Sequence, residues 1–194
     1  MSYEYDVFFS YKRDPESDEW HRRLKDKIAF WLKKENQGVE ARIFFDREDI
    51  RTGLRWKQKL SDALKKSKCI VCIWSPDYFK SKYCLSEWMV FEARGNLFST
   101  ELVGSAHFCD GENFPEPAKA RQSMNFEEYA STIPVFWETV RADEFEQKFI
   151  RKFAKDVAAI LKAAPPFSAN FPIDEAGNEL VLPEAIPIRR IGNG

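Results

Sequence analysis

The chain has 194 residues, enough for one domain of ordinary size. Its 44% hydrophobic and 15% aromatic residues, 17 of them Phe, make a composition too apolar for a disordered chain. With 30 Lys and Arg against 31 Asp and Glu the net charge is −1, so no overall field would draw the chain to nucleic acid or to an anionic membrane. No apolar run approaches the ~18 residues of a membrane-spanning helix. The opening Met-Ser-Tyr-Glu-Tyr-Asp lacks a signal-peptide pattern, so a cytoplasmic protein is expected, with reduced thiols at 69, 72, 84 and 109.

In chain order, Tyr5–Ser10 is short, aromatic and β-branched and predicts a buried strand. Asp14-Pro15-Glu16-Ser17 breaks the chain. Ser17 is placed to cap a helix in which Trp20, Leu24, Ile28 and Trp31 recur at helical spacing until Asn36-Gln37-Gly38. Ala41–Phe45 predicts a second strand, followed by the charged segment 46–53. Trp56, Leu60, Ala63 and Leu64 mark a second helix. Cys69–Trp74 is apolar at every position, as a central parallel strand covered on both faces requires. Ser75-Pro76-Asp77 ends it, and a third helix is expected over 83–95. Leu102–Cys109 is a fourth strand, residues 110–128 with Gly111, Pro115 and Pro117 a long surface loop, and Thr132–Trp137 the fifth strand. Phe145, Phe149, Phe153, Val157 and Ile160 mark a last helix. Prolines 165, 166, 172, 183 and 187 then set 164–194 apart as a Pro-rich arm or linker after a domain of residues 1–163.

Strands alternating with helices predict an α/β three-layer sandwich: a five-stranded parallel sheet with helices on both faces. Right-handed crossovers favour the flavodoxin-like order 2-1-3-4-5. In such a sheet the direction of winding reverses between strands 1 and 3, and ligands sit there, outside the strands' C-terminal ends. The segments that meet at this point are Ser10-Tyr11-Lys12-Arg13 and residues 75–87.

Several chemistries drop out. Cys69 and Cys72 lie an odd number apart within a strand, so they point to opposite faces and cannot share a metal. With only His21 and His107 a hydrolytic triad has few members, and His21, among charges at a helix start, reads as solvated. Neither a G-x-G-x-x-G turn nor a P-loop is present, so no glycine-rich phosphate cradle is available. No metal and no resident cofactor is expected.

Four segments in order carry a family resemblance. Tyr5-Asp6-Val7-Phe8-Phe9-Ser10-Tyr11 resembles the first conserved box of Toll/interleukin-1 receptor (TIR) domains. Phe44-Phe45-Asp46 with Asp49-Ile50-Arg51-Thr52-Gly53 resembles their second strand and BB loop. Leu60-x-x-Ala63-Leu64-x-x-Ser67 and Val71-x-Ile73-Trp74-Ser75-x-x-Tyr78 continue the pattern. Ser81-Lys82-Tyr83-Cys84-Leu85-Ser86-Glu87 is similar to the Ser-x-Trp-Cys-x-x-Glu segment of the third helix, with Tyr83 in place of Trp. The likeness runs over 3–92, is weaker from 100 to 163, and leaves out the tail.

The resemblance implies one of two functions. Some members cleave NAD+ to nicotinamide and ADP-ribose or a cyclic isomer; others are non-catalytic scaffolds or adaptors acting through homotypic contacts. Glu87 matches the carboxylate that separates the two and is the candidate catalytic residue. Ser10, Tyr11, Lys12, Arg13, Asp46, Arg51, Ser75 and Tyr83 are the candidate substrate contacts: Lys12 and Arg13 for the pyrophosphate, Tyr11 or Tyr83 for stacking on a ring. The expectation is a NAD+ glycohydrolase of prokaryotic antiphage immunity, activated by self-association, with NAD+ as substrate and no nucleic-acid or membrane partner.

Overall fold

In the computed structural model, which describes residues 2–45 and 56–171, five parallel strands form one sheet in the order β2-β1-β3-β4-β5. β1 is Tyr5–Tyr11, β2 Ile43–Phe45, β3 Ser67–Trp74, β4 Val103–His107 and β5 Met124–Asn125. β3 is buried at every position but Lys68, as its unbroken apolar run demands for a strand covered twice. β1 pairs with β2 through Val7↔Ile43 and with β3 through Ser10↔Cys72; β3 pairs with β4 through Cys72↔Ser105.

Strand alternation divides the core. Val7, Phe9, Tyr11, Phe45, Cys69, Val71 and Ile73 point to one face, where they meet Trp20, Leu24 and Ile28 of helix α1 (Asp18–Glu35). Phe8, Phe44, Ile70, Cys72 and Trp74 point to the other. That face is covered by α2 (Trp56–Lys66), the short α3 (Pro76–Lys80) and α4 (Lys82–Phe98). Cys69 and Cys72 therefore lie in different cores, as their odd spacing requires.

Helix ends follow local chemistry. Ser17 occupies the α1 N-cap position, but its hydroxyl turns back to the Asp14 carbonyl (3.5 Å) instead of capping. Gln37 (φ 54°) and Gly38 (φ 90°) end α1 in the left-handed region, where the Gly38 N–H returns to the Lys33 carbonyl at 2.8 Å.

The third quarter of the chain corrects two expectations. Residues 110–128 are not a plain surface loop: they hold a 3₁₀ turn at Gly111–Asn113, helix α5 (Glu116–Lys119) and strand β5, with Phe114, Ala118 and Phe126 buried. Thr132–Trp137 is not the fifth strand. Pro134 begins a 3₁₀ turn, Pro134–Glu138, and Ile133 and Val135 are 63% and 55% exposed, so the apolar pattern there is not covered. β5 instead pairs with β4 through Ala106↔Met124 and His107↔Asn125, a contact too short to leave a periodicity in the sequence.

The last helical stretch comprises α6 (Val140–Phe145), a π turn (Glu146–Ile150) and α7 (Arg151–Ala163). The wider turn spaces the buried Phe145 and Ile150 five residues apart, then the stripe resumes at Phe153, Ala154 and Val157. Glu146 within it holds Lys27 Nζ (2.5 Å) and accepts from Trp31 Nε1 (3.0 Å), which ties this stretch to α1.

After α7 the chain runs without helix or strand to Phe171, which is 4% exposed. Phe171 stacks on Tyr3 (centroids 6.1 Å apart), and the Arg94 guanidinium lies 4.3 Å from its ring centre. Arg94 is itself fully buried and donates to the carbonyls of Ser67 (2.8 Å) and Leu64 (3.0 Å). This cluster closes the edge of the sheet where the strands begin.

Candidate functional site

At the opposite edge, where β1 and β3 end, three side chains from three elements meet. Glu87 lies on the second turn of α4 and is 8% exposed. The Ser10 hydroxyl, from β1, donates to Glu87 Oε2 at 2.5 Å. The Tyr78 hydroxyl, from α3, lies 2.9 Å from Ser10 Oγ, and Tyr78 is fully buried. A carboxylate this buried is costly unless it is hydrogen-bonded, and Ser10 supplies such a bond.

Local sequence sets the arrangement. Ser10 has the parity of Phe8, so it faces α4, and it is level with Cys72 on the neighbouring strand. The Ser75 hydroxyl caps α3 by accepting the Tyr78 N–H (3.2 Å), and Pro76 occupies the first turn, where its missing N–H costs nothing. Ser81 caps α4 through the Cys84 N–H (3.4 Å), which sets where Glu87 falls on that helix.

The surroundings are thiols and a phenol held neutral. Burial foremost, with the Glu87 carboxylate adding to it, pushes the Tyr78 hydroxyl well above its ordinary value. The Cys84 thiol is pushed up to about 12, first by burial and then by Glu87; it donates to the Tyr11 carbonyl (3.7 Å). Burial raises the Cys72 thiol as well.

The expected substrate contacts divide. Ser10 binds Glu87 directly. Tyr83, 39% exposed, lies four residues before Glu87 and so shares its helix face. Lys12 is exposed, and its ammonium acts on both Asp77 and Cys84, which places it beside the starts of α3 and α4. Arg13 is exposed next to it. Asp46 and Arg51 lie outside the described residues.

Tyr11 is a correction. Its parity is opposite to that of Ser10, so it turns into the other core, 6% exposed, where it stacks on Phe45 (5.2 Å, 6°) and on His21 (4.5 Å, 23°) and donates to Asp18 Oδ1 (3.1 Å). Its ring packs the core and is not presented to a ligand. His21 is a second correction: it is buried, not solvated, with Nδ1 2.8 Å from the Ser17 carbonyl. Its spacing of three and seven residues to Leu24 and Ile28 already placed it on the apolar stripe. Tyr78 and Cys72 were not among the expected site residues. The parity of Cys72 with Ser10 becomes visible only once the strand register is known.

A family model described as TIR domain matches residues 7–132. The chain belongs to the TIR domain family. The match takes in β1 from Val7 onward, the other four strands and the Ser10–Glu87 pair. Among curated proteins none matches the chain. Similar solved structures include the TIR domain of a Toll-related receptor from Hydra magnipapillata, 21% identical over 72% of this chain and 97% of that one, with a TM-score of 0.46. The TIR domains of the activated Roq1 resistosome, whose structure is described as directly recognizing the pathogen effector XopQ, are 19% identical over 80% of this chain and 84% of that one (TM-score 0.41). A diflavin flavoprotein from Nostoc sp. is 15% identical over 84% and 95% (TM-score 0.47). In this TIR domain no described helix is long and apolar enough to cross a membrane, and no group of three metal-ligating side chains occurs among the described residues.

Proposed function

We propose that this TIR domain cleaves NAD+ to nicotinamide and ADP-ribose or a cyclic isomer, as an effector of prokaryotic antiphage immunity. The observation that carries the reading is the Glu87 carboxylate, buried and held by Ser10 at 2.5 Å where the winding of the sheet reverses. One carboxylate suffices for this chemistry. The nicotinamide of NAD+ is already cationic, so the bond from its ring nitrogen to the ribose breaks with both electrons going to nitrogen, and no acid is needed. The ribose carbon left behind has oxocarbenium character, which a preoriented carboxylate stabilises. Water, or a nitrogen of the adenine ring in the cyclic case, then bonds to that carbon and releases a proton.

The neighbouring residues suit the rest of the substrate. Lys12 and Arg13 offer cations for a pyrophosphate that has no glycine loop to hold it, and Tyr83 offers an aromatic ring on the helix face of Glu87. Self-association as the trigger is supported by Ile133, Val135 and Val140, which stand 63%, 55% and 84% exposed and would lose water against a second copy.

The test is incubation of the purified chain with NAD+ over a range of protein concentrations, with nicotinamide and ADP-ribose species separated by chromatography. Nicotinamide release that rises faster than protein concentration supports both parts of the reading. Strict proportionality from a species that stays monomeric by light scattering refutes activation by assembly. No release at any concentration, including conditions in which light scattering shows assembly, refutes the enzymatic reading.

A further inference from the structure

We propose that Tyr78 is a positioning residue for Glu87 and acts through Ser10. The geometry gives the hydrogen bonds a direction. An ionised carboxylate only accepts, so the single Ser10 proton must go to Glu87 Oε2. Ser10 Oγ, 2.9 Å from the Tyr78 oxygen, then has only lone pairs to offer on that side, and Tyr78 must be the donor. Donation from Tyr78 polarises the Ser10 hydroxyl and strengthens its bond to the carboxylate. The chain therefore runs Tyr78 to Ser10 to Glu87, linking α3, β1 and α4.

The arrangement does two things for the site. It holds Oε2 at one place at the end of β1, and it favours the ionised carboxylate over the acid. Among the described residues the charge of Glu87 acts on Cys72 from β3, Tyr78 from α3 and Cys84 from its own helix, all raised by burial, and Lys12 after β1 acts on Cys84. Tyr78 therefore stays a donor through the neutral range.

The inference rests on the NAD+ reading for its kinetic arm only. Tyr78→Phe removes one hydroxyl and keeps the ring. It should lower kcat about 3- to 10-fold, the worth of one ordinary hydrogen bond, with KM unchanged and the acid limb of the pH profile moved upward. In a Ser10→Ala background the same change should have no further effect, because the connection to Glu87 is already cut. The second readout needs no substrate. With ¹³C-labelled Glu side chains, the carboxyl signal that Glu87→Gln abolishes should titrate at higher pH in Tyr78→Phe than in the parent, and at the same pH in Ser10→Ala with and without Tyr78→Phe. If Tyr78→Phe does not fold, 3-fluorotyrosine at position 78, a stronger donor of nearly the same shape, should move the carboxyl titration the other way.

Parent-like kcat together with an unmoved carboxyl titration overturns the proposal. So does an equal loss with and without Ser10, which would make Tyr78 a packing residue. A carboxyl titration that moves as described in a chain that releases no nicotinamide keeps the positioning role and refutes the NAD+ reading.

Discussion

Replacing Glu87 with Gln separates what the residue does for catalysis from what it does for the fold. The side chain keeps its length, and its amide oxygen can still accept from Ser10, now without charge. The carboxylate is 8% exposed, so the native protein bears a desolvation cost of several kcal/mol, offset by a charge-assisted hydrogen bond worth about 1.5–3 kcal/mol. Neutralising the group relieves the first term and weakens the second. Stability should stay level or rise by about 1 kcal/mol, roughly 2–4 °C in Tm for a chain of this size. Activity should move the opposite way. Loss of a preorganised charge facing a developing cation costs about 10²–10³-fold in kcat. The assay is nicotinamide release at saturating NAD+, with calorimetry on the same samples. A folded Gln variant that turns over at the parent rate would refute the role of Glu87. A large fall in Tm would show that the carboxylate is there to hold the fold.

Phe171→Ala should cost about 3 kcal/mol, because a buried ring is lost from between Tyr3 and the Arg94 guanidinium. A lowered urea midpoint with unchanged kcat is the expected result, since this cluster lies at the edge of the sheet away from Glu87. His21 titrates at about 4 instead of 6.5 because burial disfavours its cation. The unfolded chain therefore binds the proton first as pH falls, and stability present above pH 6.5 is lost between there and about 4. Between pH 7 and pH 5 that loss is about 2 kcal/mol, and it should disappear in His21→Phe, read from urea midpoints at the two pH values. Gly95→Ala should destabilise although Ala is the better helix former by about 1 kcal/mol. Its Cβ would fall 2.7 Å from the Thr100 carbonyl oxygen, and relieving that contact means moving backbone at a cost of about 1–3 kcal/mol, measurable by thermal melting.

Much of the fold was legible because it depends on local periodicity. The apolar run of β3 and the Trp20-Leu24-Ile28 stripe each act within a few residues, and right-handed crossovers between parallel strands favour the order 2-1-3-4-5. Glu87 was legible as a residue type at a recognised spacing. The rest is decided by contacts between distant segments. Strand parity determines that Ser10 meets Glu87 while its neighbour Tyr11 turns into the opposite core, and the partners involved are 77 and 34 residues away in sequence. A two-residue strand such as Met124–Asn125 exists only because β4 offers an edge, whereas the apolar Ile133 and Val135 form none because no described residue covers them. His21 carries the same side chain whether solvated or buried, and it is the rings of Tyr11, Trp20 and Phe108 packed against it that make it a neutral core residue. Propensity and periodicity act along the chain and can be read there. Burial, register and the direction of a hydrogen-bond chain are properties of surfaces that meet, and they come into being only when the chain is folded.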